Sequence, residues 1–121
     1  MAEGGWTIRL TASAETDLTN ILGWTKDQFG EAQAHVYSRT VSAALVELAT
    51  GGPTTIGVKT RDDIAKGLFT LHVARHGRKA RHLVLFRVSR DGAGNKTLDV
   101  LRILHDAMDL PRHIPPLDEN E

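Results

Sequence analysis

This sequence predicts a two-layer α+β domain: an N-terminal strand, a helical hairpin, then a three-stranded antiparallel meander with a short C-terminal segment. Three observations carry the expectation. Apolar residues recur at helical spacing across residues 14–48, interrupted at one glycine. Strand-like runs fill residues 67–105, and the connectors between them are short and glycine-bearing. Strands that follow helices as a block, instead of alternating with them, place the helices on one face of a sheet.

The elements can be justified in order. In "WTIRLT", Trp6, Ile8 and Leu10 alternate with Thr7, Arg9 and Thr11, the period of a half-buried strand. Ala14, Leu18, Ile21, Leu22, Thr25 and Phe29 then keep helical spacing, with Thr11 or Ser13 available as the N-cap oxygen and Gly30 as the stop. Ala34, Tyr37, Val41, Ala44, Leu45 and Leu48 repeat the pattern until "TGGP" at 50–53 ends it. Two such helices joined at one glycine fold back as a hairpin. Pro53 to Lys66 reads as a loop with a helical turn near Asp62 to Ile64. The runs "GLFTLHVAR" (67–75), "RHLVLFRVS" (81–89) and "KTLDVLRILH" (96–105) form the meander, joined by "HGRKA" and "RDGAGN". Because the middle run is apolar on both faces, it is the expected central strand. A helical turn is expected between Asp106 and Ile114, and residues 1–5 and 116–121 are expected to fray.

A chain of 121 residues has length for one core, so a single domain over 1–121 is expected. The absence of cysteine removes disulfides, thiolate nucleophiles and Cys-ligated metal sites, and fits a reducing compartment. With no long apolar run and no basic leader, a soluble cytoplasmic protein without membrane contact is expected. Net charge is zero, but the charges are segregated. Residues 1–50 carry 3 Lys+Arg against 6 Asp+Glu, residues 51–90 carry 9 against 2, and residues 91–121 carry 3 against 7. The basic middle third either attracts an acidic partner or answers acidic faces within the fold.

Three pieces resemble toxins of the RelE/ParE superfamily, specifically its ParE-type branch from bacterial type II toxin-antitoxin systems. The first, Leu10 to Tyr37, carries Ala14, Asp17, Leu18, Ile21, Trp24, Thr25, Phe29, Gly30, Gln33 and Ala34 in the family's order. The second is "GLFTLHVARHGRKARHLVLFRV". The third and most specific is "VLRILHDAMDLPRHI", with Arg102, Ile103, Leu104, His105, Met108, Asp109, Arg112 and His113. The resemblance implies a toxin neutralised by a ParD-like antitoxin encoded beside it, and inhibition of DNA gyrase as the mode of action. The alternatives are a ribosome-dependent mRNA endoribonuclease of the RelE type, or an inactive relative retained in such a pair. A shared fold does not choose among these.

RNA cleavage needs a base for the ribose hydroxyl, an acid for the leaving oxygen, and cations at the developing phosphorane. His105, Arg87 and Arg81 are the candidates. Face arithmetic sets His105 with Asp99, Leu101 and Ile103, and Arg102 with Leu98, Val100 and Leu104, so the two part company unless a bulge intervenes. The sole tyrosine, Tyr37, falls on the second helix, away from the C-terminal region where ribonuclease relatives carry one. No catalytic residue is therefore expected, and His105 reads as an anchor at a strand end, capping backbone groups or bonding Asp106 or Asp109. A metal site among His72, His76, His82, His105 and His113 is not expected, since a four-residue gap on a strand and its turn lacks the helical i, i+4 geometry. No cofactor is expected. Neither helix has a basic face, which argues against direct DNA reading. An acidic, amphipathic antitoxin tail is the expected partner, with Trp24, Phe29, Leu45, Leu48, Arg75 and Arg87 as candidates to receive it. Arg102, His105, Met108 and Asp109 are the candidates for touching the target.

Overall fold

A computed structural model describes residues 5–108. Its elements are β1 (Thr7–Leu10), α1 (Ala12–Phe29), α2 (Glu31–Gly51), a 3₁₀ turn (Gly52–Thr54), β2 (Lys59–Thr60), β3 (Phe69–His72), β4 (His82–Arg90) and β5 (Lys96–His105). The strands form one sheet in the order β1-β5-β4-β3-β2, with β1 parallel to β5 and every other pair antiparallel. The hairpin covers one face. The expected α+β class, hairpin and meander are present, and β4 is central. One strand had no signal: β2 lies within the stretch read as loop, because two residues are too few to display a period.

Thr11 starts α1 with one hydroxyl used twice. Its Oγ1 accepts the Ala14 amide at 3.1 Å as N-cap and donates to the Leu101 carbonyl at 2.9 Å, tying the helix to β5. Gly30, at φ 96°, ends α1 and opens α2, a conformation that favours glycine. Between hairpin and sheet lies the main core, with Ala14, Val41, Ala44 and Leu48 facing Leu71, Val84, Phe86, Leu98, Val100 and Ile103. A smaller cluster on the other face joins Leu85 and Leu101 to Leu68, with Ile64 and Ala65 of the β2–β3 connection packed against it. Part of the second sheet face is thus covered by that loop.

A β-bulge corrects the face arithmetic. Leu85 pairs with Arg102, yet Phe86 pairs with Val100, so Leu101 is the extra residue. His105 therefore shares its face with Ile103, Val100 and Leu98, whereas Arg102 stands opposite Leu85 on the other face. The two side chains still diverge, since the bulge precedes both. Asp106 to Met108 make a turn in which the Met108 amide donates to the His105 carbonyl at 3.0 Å. The frayed ends and the rest of the C-terminal turn, Asp109 included, lie outside the described residues.

Candidate functional site

The hairpin does not cover its sheet face evenly. At the end of the sheet where β4 begins and β5 finishes, it leaves a groove of about 690 Å³. α1 contributes Asn20, Ile21, Trp24, Thr25 and Phe29, and α2 contributes Gln33 and Tyr37. The β3–β4 connection supplies Lys79, Ala80 and Arg81, the strands supply His82 and His105, and the turn after β5 supplies Met108. Trp24 and Phe29 stand 59% and 65% exposed with their rings edge to face, centroids 5.7 Å apart. Large aromatics left this open are unusual in a core and common at binding surfaces. Cations border the groove at Lys79 and Arg81, and no carboxylate among the described residues lines it.

The floor is polar and ordered. Tyr37 reaches from α2 to His82, its hydroxyl 2.6 Å from Nδ1, and the same oxygen accepts the Arg81 amide at 3.1 Å. His82 stands opposite His105 across the β4–β5 ladder, rings edge to face at 5.4 Å. Burial pushes the Tyr37 hydroxyl above its ordinary pKa and the His82 imidazole below its own, so both are held neutral. Beside them Asp106 accepts Arg81 at 3.0 Å and His72 Nε2 at 2.9 Å. Those hydrogen bonds, Arg81 first, hold its carboxyl far below the usual carboxylate range.

The candidates from sequence divide by position. Trp24, Phe29, Arg81, His105 and Met108 converge on the groove. Leu48 is fully buried and Leu45 packs against the same core, and neither lines the groove. Arg75 lies elsewhere, its guanidinium 2.7 Å from Glu47 of α2. Arg87, opposite Asp99 on β5, is on the sheet face turned away from the hairpin. Arg102 is bound to Asp17 of α1 at 2.6 and 2.8 Å. The expected bond between His105 and Asp106 is loose at 3.6 Å; the imidazole Nδ1 accepts the Ala107 amide at 3.1 Å instead, and so caps the turn that follows. Tyr37 is the residue that sequence reasoning misplaced. Its position on α2 is as expected, but the hairpin brings it to the histidines of a sheet 45 residues later. Helical spacing puts a residue on a face and does not say which strand end that face meets.

No helix among the described residues is long and apolar enough to cross a membrane. Residues 8–110 match the family model described as ParE toxin of type II toxin-antitoxin system, parDE. Two curated relatives, both named Toxin ParE1 and from two strains of Mycobacterium tuberculosis, are each 31% identical over 105 residues, spanning 87% of this chain and 94% of the relative. A solved structure described as the chromosomal ParDE TA system from P. aeruginosa shares the fold with a TM-score of 0.64. It is 20% identical, covering 83% of this chain and 95% of that one.

Proposed function

Since the chain belongs to the ParE toxin family of type II toxin-antitoxin systems, we propose that it acts in the cytoplasm as a single toxin domain. In this reading it inhibits DNA gyrase by binding, without bond-making chemistry, and a ParD-like antitoxin silences it. The observation that carries the non-catalytic reading is the dispersal of the would-be nuclease groups. Arg87 stands on the sheet face away from His105, and Arg81 is engaged by Asp106. Phosphorane stabilisation needs cations aimed at the same point as the base.

The groove supports the partner reading. An apolar trough with exposed Trp24, Phe29 and Met108, bordered by Lys79 and Arg81 and lined by no carboxylate among the described residues, complements an acidic amphipathic helix. Members of both candidate sets meet there, the antitoxin set through Trp24 and Phe29 and the target set through His105 and Met108. An antitoxin helix seated in the groove thus covers residues that the target needs, and silencing follows from competition.

One observation favours the ribonuclease alternative: Tyr37, His82, His105 and Arg81 do converge at one place. Purified toxin assayed for gyrase supercoiling and, beside it, for cleavage of ribosome-bound mRNA separates the two. Inhibited supercoiling with intact mRNA is expected. Cleavage of mRNA that disappears on His105→Ala would overturn the reading.

A further inference from the structure

We propose that this groove is proton-gated: its occupant docks while the floor imidazole of His82 is uncharged, and acidification weakens docking by charging a surface the occupant seals from water. The inference rests on the reading of the groove as the antitoxin's seat and adds a regulation to it.

The geometry fixes where the protons sit. The Tyr37 oxygen already accepts the Arg81 amide, so its own hydrogen is available to His82 Nδ1 at 2.6 Å, and a neutral His82 keeps its proton on Nε2. His105 Nδ1 accepts the Ala107 amide, which likewise leaves Nε2 as the protonated nitrogen of the neutral ring. With ring centroids 5.4 Å apart, two imidazolium cations here would repel each other.

Every element around the pair supplies neighbours, and few of them welcome positive charge. α2 presents Tyr37, β3 presents His72, and the β3–β4 connection presents Lys79 and Arg81. α1 lines the groove with Asn20, Trp24, Thr25 and other uncharged residues only. Among the described residues the carboxylate facing the pair is Asp106, 3.6 Å from His105 Nδ1, and Arg81 and His72 already hydrogen-bond it. Partial burial, with the neighbouring His105, His72 and Arg81 adding to it, holds His82 below its ordinary pKa. A helix laid over the groove removes the remaining water and extends that desolvation, so docking expels protons. Affinity is then fullest at neutral and higher pH and declines as the His82 imidazole charges.

The test uses the full chain and the antitoxin encoded in its operon, with affinity measured by calorimetry from pH 7.5 to pH 5.5. Loss of one linked proton is worth about ten-fold per pH unit. The wild type is expected to lose about ten-fold more affinity over this range than the His82→Gln, His105→Gln double variant, whose residual slope reports the antitoxin's own groups. In case the double variant fails to fold, the wild-type His82 imidazole, followed by NMR, is expected to titrate at lower pH in the complex than in the free toxin. Equal slopes, or an unmoved His82 titration, would overturn the gate while leaving the seat intact. Undiminished binding of Trp24→Ala at pH 7.5 would overturn the seat, and the gate with it.

Discussion

The carboxylate of Asp17 accepts two hydrogen bonds from the Arg102 guanidinium and one from the Ile103 amide at 2.9 Å. That amide lies on the edge of β5 beyond the last residue paired with β1, so Asp17 completes an edge that the short first strand leaves open. Because both partners are largely buried, Asp17→Ala breaks a buried ion pair and leaves an edge donor without its acceptor. We expect a loss of about 3 kcal/mol in urea unfolding, and a loss under about 1 kcal/mol would contradict this role. Two further residues give the fold a pH signature. Asp106 has a folded pKa below its unfolded one, so the stability it lends is complete above about pH 4 and drains as pH falls through the lower folded value. His82 is also depressed; being a base, it lends stability that is complete above about pH 6.5 and is lost as pH falls below that. The urea midpoint should therefore decline twice on acidification. Asp106→Asn should shrink the lower decline, to which Glu47, Asp63 and Asp91 also contribute, and leave the upper one; an undiminished lower decline would refute the assignment.

Among the elements, the helix ends and the sheet edge show what a linear reading reaches and where it stops. The Thr11 cap and the Gly30 break were legible because capping and left-handed backbone are local demands of named residue types. Local rules also place the three long strands. The bulge at Leu101 was not legible: it arises from pairing between β4 and β5, and it moves His105 onto the face of Val100. Nor did the sequence reveal Tyr37 beside His82, a contact set by how the hairpin lies on the sheet. Glycine tests separate local from tertiary demands. Gly30 (φ 96°) has open space where a Cβ would go, whereas a Cβ on Gly52 (φ 56°) would collide with the Trp6 indole. Gly30→Ala should cost about 1 kcal/mol of backbone strain, and Gly52→Ala distinctly more because Trp6 must move as well. Equal melting temperatures for the two variants would contradict that ordering.

At the scale of the molecule, part of the basic middle third answers acids of the same fold. Arg61 pairs with Asp63, Arg75 with Glu47 and Arg81 with Asp106. A rim answering the fold's own acids therefore accounts for part of the charge, and the apolar groove with its exposed aromatic pair remains as the distinctive surface. Trp24 and Phe29 were legible as partner candidates from the family resemblance, but not their openness, which depends on the hairpin stopping short of the strand ends. The account's central claim is that this groove is where the toxin meets its antitoxin. The direct measurement is the affinity of the operon's antitoxin for Trp24→Ala, set against Val46→Ala, a substitution at an equally exposed apolar residue of α2 outside the groove. We expect about 30-fold weaker binding for Trp24→Ala, the scale of an interface hot spot, and wild-type binding for Val46→Ala. Wild-type affinity for Trp24→Ala would contradict the account.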